Sequence, residues 1–338
     1  MAAEIAEQPQ VWRRLLTEGA DQIAAAADRI AAYAPRFVSF VARGTSDHAA
    51  LYAKYLVEIE HGLPAGSASP STVTLYGSRP RLDGVLVIAV SQSGGSPDLV
   101  ASVDVARAQG ALTVALTNNP DSPLARSAEL HIDVLAGPER SVAATKSYTA
   151  ELLALYLLLD RARGGDGVGA RALPDLAERV LAADERVHAI AQRYRFAQRL
   201  VTTGRGYGYP TAREAALKLM ETSYLSAQAF SGADLLHGPL ATIDPHVPVI
   251  AIATDTIGGR AMAPVLDRLR EQHADVLGVG DPAIFAAATT IALPAGVPEN
   301  LSPLLEILPL QQLALHLAIA RGGDPDSPRG LRKVTETL

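Results

Sequence analysis

Short apolar runs alternate along the chain with longer segments in which apolar residues recur every three or four positions. The runs at 37–42, 85–90 and 112–116 predict buried strands, because turn residues bound each of them. The amphipathic segments predict helices at 11–33, from the loop at 43–46 to Glu58, at 98–109 and at 142–162. Strands that alternate with helices of this length predict a parallel, doubly wound sheet.

A glycine-rich segment at 163–169 divides the chain, because four glycines in seven residues neither propagate a helix nor pack a strand. We therefore predict a first domain at 1–165 and a second at 170–338. Beyond the linker the pattern resumes with a helix at 175–194, a strand at 199–203, a loop at 204–206 and a helix opened by Pro210.

Sliding the chain against itself by 162 positions brings two strand ends into register with two others. Arg-Gly at 43–44 falls on Arg-Gly at 205–206, and the strand 87–90 falls on the strand 249–252. One shared offset favours duplication of an α/β unit, although any two buried strands look broadly alike. The predicted fold class is α/β, with two doubly wound parallel-sheet domains of the flavodoxin or Rossmann kind in tandem.

Composition narrows the class of protein. The 338 residues are 48% hydrophobic, 20% charged and 5% aromatic, which favours well-packed, helix-covered sheets. A net charge of −6 argues against nucleic acid or an anionic membrane as a partner, and we find no uninterrupted apolar stretch of spanning length. The absence of cysteine excludes disulfides, zinc-thiolate sites and cysteine nucleophiles. We expect a cytoplasmic protein, because no leader-like segment opens the sequence.

The loop Ser91–Ser96, which reads Ser-Gln-Ser-Gly-Gly-Ser, follows the second predicted strand. Its glycines let backbone N–H groups converge on an oxyanion, and hydroxyls and an amide add further donors at a helix N-terminus. Thr45 and Ser46 end the neighbouring strand in the same manner. The alternative is that these are ordinary turn and capping residues. We predict a phosphate site here, and only in the first half, because the second half has Ala-Thr-Asp at 253–255.

Three ionisable residues, Glu214, Lys218 and Glu221, share one face of the helix that Pro210 opens. Such pairs are common on solvated surfaces, but an apolar stripe surrounds this face, so some of the charges are expected to point into a cleft and to suit proton transfer. His237 lies in a Gly-Pro turn, where histidine is usually structural or exposed. Lys333 lies in a charged tail and by itself indicates a solvated lysine.

At these residues the sequence resembles the sugar isomerase (SIS) domain family, in particular the tandem isomerase half of glucosamine-6-phosphate synthase and its stand-alone relatives. The resemblance covers nearly the whole chain and rests on the motifs at 43–46, 91–94, 143–147, 214–221, 236–239 and 326–329.

The resemblance implies a role for each candidate residue. It implies that Ser46, Ser91, Gln92, Ser93 and Ser96 contact a sugar phosphate, with Thr45, Val142 and Ala144 also at substrate-binding positions. Glu221 would move a proton between C1 and C2, and His237 would assist ring opening from the partner subunit of a homodimer. Glu214 and Lys218 would support proton transfer, and Lys333 would form a Schiff base with the open-chain ketose.

Two departures narrow the implied activity. The synthases use a glutaminase domain with an N-terminal cysteine, and this chain has neither, so glutamine amidotransferase activity is not expected. Ala144 replaces a family serine and removes one hydroxyl near the sugar. The stretches 95–98, 136–147 and 333–338 are more similar to stand-alone glucosamine-6-phosphate deaminases.

The sequence therefore predicts an enzyme that converts D-glucosamine 6-phosphate to D-fructose 6-phosphate and ammonia, with no metal or other cofactor. Three alternatives remain open. They are a deaminase or deglycase of another amino-sugar phosphate, such as galactosamine 6-phosphate or a fructosamine phosphate, a simple aldose-ketose phosphate isomerase, and a non-catalytic sugar-phosphate sensor. A regulator should carry a basic DNA-binding domain, and the short acidic N-terminal extension offers none. The expected partner is a hexosamine or hexose 6-phosphate.

Overall fold

The computed structural model describes residues 1–286 and 288–333; the sequence ending at 334–338, part of the motif noted above, lies outside the described residues. The chain forms two compact units. The first unit contains Gln10–Glu139, Lys146–Arg171 and the tail from Arg332, and the second contains Met1–Pro9, Arg140–Thr145 and Ala172–Leu331. Two short segments that precede the glycine-rich linker thus belong to the second unit.

The first unit is built on a five-stranded sheet whose paired strands all run parallel. Its strands are β1 (Phe37–Val41), β2 (Ala65–Ser67), β3 (Val85–Ser91), β4 (Leu112–Thr117) and β5 (Leu130–Asp133), in the order β2-β1-β3-β4-β5. Strand β3 is the most apolar and lies in the middle, so it is buried from Leu86 to Ser91. This is the flavodoxin-like order, in which ligands bind where β1 and β3 diverge.

Seven α-helices occur up to the glycine-rich linker: α1 (Ala2–Glu18), α2 (Ala20–Tyr33), α3 (Gly44–Leu56), α4 (Pro70–Thr74), α5 (Pro97–Ala108), α6 (Pro123–Ser127) and α7 (Lys146–Ala162). A π-helical turn at Val57–His61 extends α3, and a 3₁₀ turn at Val168–Ala170 follows α7.

Three predicted helix boundaries in this part are wrong. The helix expected at 11–33 begins at Ala2 and is interrupted at Gly19, where a side chain would come within 2.6 Å of the Leu15 carbonyl oxygen. The segment at 43–46 is not a loop, because Gly44 already begins α3 and only Arg43 is extended. Helix α7 begins at Lys146 instead of position 142.

The second unit repeats the same sheet. Its strands are β6 (Arg199–Gly204), β7 (Ser226–Ser231), β8 (Val249–Ala253), β9 (Val276–Gly280) and β10 (Thr289–Ala292), in the order β10-β9-β8-β6-β7, all parallel. Counted from the first strand of each unit, the two orders are identical. The predicted fold of two doubly wound parallel-sheet domains is confirmed.

The helices of the second unit are α8 (Leu173–Leu181), α9 (Asp184–Tyr194), α10 (Gly208–Ser223), α11 (Gly232–Leu236), α12 (Ile257–Arg260), α13 (Ala263–Glu271), α14 (Pro282–Phe285) and α15 (Ser302–Ala320). Short 3₁₀ turns lie at Pro239–Thr242 and Glu299–Leu301. The single helix expected at 175–194 is two helices, because the chain turns at 182–183. Helix α10 begins at Gly208, two residues before Pro210, which occupies its first turn.

Helix α15 is the core helix of the second unit. Together with the turn before it, over Glu299–Ala320, it is long and apolar enough to span a membrane by length and composition, which the sequence-based expectation missed. However, 83% of its apolar window is buried within the structure. It also carries buried Glu306, Gln311 and Gln312, each of which makes at least one hydrogen bond inside the unit, as expected of a core helix.

Candidate active site

The Ser91–Ser96 loop lies at the carboxyl end of β3 and leads into α5. The N–H of Gly94 donates to Ser91 Oγ at 3.2 Å, and the N–H of Gly95 donates to Ser93 Oγ at 3.2 Å. A hydroxyl that accepts from an amide keeps its own proton to donate. Ser96 is the N-cap residue of α5, but its side chain does not cap the helix. The loop therefore presents hydroxyl donors at a helix N-terminus, the arrangement expected for a phosphate site.

Gly94 fixes the shape of this loop. Its φ of +62° lies in the left-handed region, and a side chain there would lie 2.2 Å from Ser122 Oγ. The Gly94 carbonyl accepts from the N–H of Leu124 at 3.1 Å, and the Gln92 carbonyl accepts from the N–H of Asn118 at 3.0 Å. The Ser91–Ser96 loop is thus hydrogen-bonded on one side to the segment that follows β4.

Thr45 and Ser46 lie in the first turn of α3, at the carboxyl end of β1. Ser46 is buried and its Oγ donates to Glu151 Oε1 on α7 at 2.9 Å. The Ser46 proton is therefore committed to a buried carboxylate, unlike the protons of Ser91 and Ser93. A phosphate oxygen would have to compete with Glu151 for this hydroxyl.

An ion pair that the sequence did not reveal crosses the gap between β1 and β3. Arg43, the residue before α3, places Nε at 2.9 Å and Nη2 at 2.8 Å from Asp98 Oδ2. Asp98 is buried in the first turn of α5, whereas 51% of the Arg43 side chain is exposed. The sequence does show a basic residue directly after the first predicted strand. The prediction considered only the hydroxyl residues of that motif, Thr45 and Ser46, and gave Arg43 no role.

The three predicted ionisable residues of α10 contact one another. Lys218 Nζ lies 3.3 Å from Glu214 Oε1 and 2.5 Å from Glu221 Oε2. The side chains of Glu214 and Lys218 are fully buried, while 22% of the Glu221 side chain is exposed. This excludes the solvated-surface alternative for Glu214 and Lys218, and makes Glu221 the member that solvent or a ligand reaches.

The electrostatics of this cluster favour the charged form of the lysine. Burial alone would lower the pKa of Lys218, but the charges of Glu214 and Glu221 and the hydrogen bonds to both carboxylates outweigh it and raise that pKa. A permanent ammonium beside Glu221 holds its carboxylate in place and can stabilise negative charge that develops next to it.

The remaining predicted residues belong to three other segments of the chain. The His237 side chain is exposed after α11 and makes no described contact with Glu214, Lys218 or Glu221 within residues 1–286 and 288–333. Val142 and Ala144 are half-buried in the irregular segment before α7, which belongs to the second unit. Lys333 belongs to the first unit, where its Nζ lies 3.2 Å from the buried carboxylate of Glu139.

Sequence reasoning also missed Glu306, a fully buried carboxylate on α15. It accepts from Ser302 Oγ at 2.7 Å and from Thr211 Oγ1, in the first turn of α10, at 2.9 Å. Burial raises the pKa of Glu306 to about 7, although both hydroxyl hydrogen bonds act to lower it. Glu306 lies in the middle of an apolar helix, and the sequence does not indicate that Thr211 of α10 is its partner.

Two parallel sheets of the same order, one of which carries a hydroxyl-rich loop at its switch point, define a tandem doubly wound α/β class of protein. The sequence matches the SIS domain over residues 34–161 and again over 194–321, so the chain belongs to the SIS domain family.

Similar proteins agree with this assignment. Glutamine–fructose-6-phosphate aminotransferase (isomerizing) of Gloeobacter violaceus is 36% identical over 98% of this chain, which spans 58% of that protein. A Silicibacter pomeroyi protein provisionally described as a phosphosugar isomerase is 36% identical, with a TM-score of 0.87, covering 96% of this chain and 98% of its own. The C-terminal domain of glucosamine-fructose-6-phosphate aminotransferase from Francisella tularensis is 27% identical, with a TM-score of 0.85 and coverage of 96% and 97%.

Proposed function

We propose that this chain is an isomerising deaminase that converts D-glucosamine 6-phosphate to D-fructose 6-phosphate and ammonia. The observation that carries the proposal is the ion cluster on α10. In this cluster the buried ammonium of Lys218 pairs with the partly exposed carboxylate of Glu221. A carboxylate that is fixed by a cation and still reachable suits proton transfer at carbon. The names of the relatives, isomerizing aminotransferase and phosphosugar isomerase, support the same class of chemistry.

The proposed reaction begins at the open-chain amino sugar, with Ser91, Ser93 and Ser96 holding its phosphate. Glu221 takes the proton from C2, and the electron pair forms the C1–C2 double bond of an enolamine as the C1 carbonyl oxygen takes a proton from solvent water. Glu221 then returns its proton to C1, which leaves a C2 imine. Water adds to C2 and ammonia departs, giving the ketose. His237 would assist ring opening, and Lys333 would engage the open-chain carbonyl.

The direct test is an ammonia-coupled assay with a panel of substrates: glucosamine 6-phosphate, galactosamine 6-phosphate, fructosamine 6-phosphate and glucose 6-phosphate. Ammonia release from the first, with kcat reduced about a thousandfold in Glu221→Gln, is expected from loss of general acid–base catalysis. Glu271→Gln is the matched control, because Glu271 is an exposed glutamate of the same unit that pairs only with Arg268 within the described chain. Undiminished release from Glu221→Gln contradicts the proposal.

A simple aldose-ketose phosphate isomerase is the second candidate. The name phosphosugar isomerase, given to the Silicibacter pomeroyi protein that is 36% identical to this chain, favours it. Interconversion of glucose 6-phosphate and fructose 6-phosphate without any ammonia-releasing substrate in the panel would identify this alternative.

We further propose that the protein works as a cytoplasmic homodimer in which His237 serves the partner's substrate. The exposed His237 side chain, with no described contact to the α10 cluster, supports this. Each mixed dimer of His237→Ala and Glu221→Gln should then have one complete site, and random exchange makes about half of the dimers mixed. Activity should therefore recover to about a quarter of the wild-type value, since effects on different subunits combine independently. No recovery after subunit exchange contradicts action between subunits.

A further inference from the structure

The phosphate loop has an electrostatic conflict built into it. Asp98 lies two residues after Ser96, in the first turn of α5, and is only 1% exposed. Its Oδ1 accepts from the N–H of Leu99 at 2.9 Å, so a carboxylate already occupies part of the helix N-terminus that would attract phosphate. A bound phosphate dianion would lie next to this buried negative charge.

Arg43 resolves the conflict. Two of its nitrogens, Nε and Nη2, both donate to Asp98 Oδ2, which fixes the guanidinium plane beside the loop. The remaining terminal nitrogen, Nη1, makes no contact among residues 1–286 and 288–333, and 51% of the side chain is exposed. An arginine held by one face presents preformed donors on the other.

Arg43 is also the sole basic residue in the segments that follow β1, β3 and β4, at 42–46, 92–98 and 118–122. The hydroxyls and amides of the phosphate loop are neutral donors. Without Arg43 the buried Asp98 and the exposed Asp121 would give these segments two negative charges and no positive one. Such a charge would repel a phosphomonoester dianion.

We propose that Arg43 is a phosphate-binding residue, oriented by Asp98 as its positioning residue, and that the pair selects phosphorylated over neutral sugars. This inference rests on the proposed function only in taking a sugar phosphate as the ligand. The sequence-based prediction was that hydroxyls and amides alone hold the phosphate, and Arg43 adds a charged donor to that set.

The test is titration of D-glucitol 6-phosphate and D-glucitol into wild type and Arg43→Gln by calorimetry. Loss of one charge-assisted contact should raise Kd for the phosphorylated ligand about tenfold, and leave any binding of glucitol unchanged. The effect should shrink below pH ~6, where phosphate loses its second charge while arginine stays protonated.

The matched control is Arg260→Gln. Arg260 pairs with Asp255 at 2.6 Å after β8, the counterpart of β3 in the second unit, and both side chains are mostly exposed. It should leave Kd within about twofold of wild type, as surface pairs contribute little. Arg43→Lys keeps a charge opposite Asp98 if Arg43→Gln folds poorly, and should bind about threefold more weakly than wild type because the fork is lost.

The outcomes separate the two proposals. Equal Kd values for wild type and Arg43→Gln, or a tenfold loss that is the same for both ligands, contradict a phosphate role for Arg43. No binding of glucitol 6-phosphate by wild type contradicts the proposed function instead.

Discussion

The carboxyl edges of the two sheets share one topology but differ in what occupies them. In the first unit the loop after β3 leaves hydroxyl protons available, and the carboxylate in the first turn of its helix, Asp98, is paired with Arg43. In the second unit the loop after β8 leads into α12, and the carboxylate of Glu299 accepts from the N–H of Ile257 at 3.2 Å and of Gly258 at 2.7 Å. The protein's own carboxylate therefore sits where an anionic ligand would sit in the first unit.

The two units also share one side-chain hydrogen bond, which is consistent with their origin by duplication. In each, a hydroxyl in the first turn of the helix after the opening strand donates 2.9 Å to a buried carboxylate on the last long helix. The pairs are Ser46 with Glu151, and Thr211 with Glu306. The second pair has no serine-rich loop beside it, so we attribute the hydroxyl–carboxylate hydrogen bond of both units to helix packing. The Ser91–Ser96 loop is then the feature that distinguishes the first unit as the proposed phosphate-binding unit. The second unit instead carries the ion cluster of α10.

The largest expected effect tests that cluster. Lys218→Met removes the ammonium between Glu214 and Glu221 and leaves Glu214 fully buried without that cation. Breaking a buried ion pair from one side costs about 3–5 kcal/mol. Chemical denaturation should show this loss, whereas Arg260→Met, at an exposed pair of the same unit, should change stability by less than about 1 kcal/mol. Similar losses in the two variants would mean that the cluster is not a buried ion pair.

Glu306 should give the second unit a pH dependence of its own. Its folded pKa of about 7 lies above the unfolded value of roughly 4.3, so the folded protein binds more protons between those values. Stability should fall as pH rises through this window, by about 4 kcal/mol at most, and level off above it. Glu306→Gln should remove this slope from unfolding free energies measured between pH 4.5 and 8.

The exposed Glu271→Gln is again the control, and it should retain the full slope. A slope that persists in Glu306→Gln would assign the pH dependence to another group.

Gly94→Ala tests how rigidly the anchor is built. Gly94 and Gly77 have nearly the same φ, +62° and +63°, but a side chain at Gly77 meets nothing within 4 Å, while one at Gly94 meets Ser122 Oγ at 2.2 Å. Both alanines carry the backbone strain of about 1 kcal/mol, and overlap adds about 2 kcal/mol at Gly94 alone. The melting temperature of Gly77→Ala should be higher than that of Gly94→Ala, and only Gly94→Ala should lose phosphate binding. Equal losses would mean that Ser122 yields easily.

The amino-acid pattern predicted five of the six central strands, and missed β9 and the four edges. The β9 sequence Val-Leu-Gly-Val-Gly contains two glycines, which interrupt its apolar run. Strands β1, β3, β4, β6 and β8 follow apolar runs. Strands β2, β5, β7 and β10 are the sheet edges, where burial is partial and polar residues interrupt the run, as in the Ser-Ala-Gln-Ala-Phe-Ser sequence of β7. Hydrophobic periodicity reflects burial, so the pattern is weaker in strands whose residues are only partly buried.

The candidate site divides in the same way. Residues that share one loop or one helix face, such as Glu214 and Lys218, could be grouped by spacing because local geometry fixes their distance. The contacts of Arg43 with Asp98, Thr211 with Glu306 and Gly258 with Glu299 join distant parts of the chain. Only the strand order brings those partners together, and spacing along the chain contains no information about it.

The smallest effect separates two reasons why the second edge binds no phosphate in our proposal: occupation by Glu299, or lack of hydroxyl donors. Glu299→Ala removes one carboxylate from two amides and should cost about 1 kcal/mol, as loss of a capping group does. If donors decide, calorimetry with glucitol 6-phosphate should still give one site per chain, because the two hydroxyls of the loop after β8, those of Thr254 and Thr256, hydrogen-bond to each other at 3.2 Å. A second site in Glu299→Ala would instead show that the carboxylate alone closes that edge, and that the two units differ by one side chain and not by the loop.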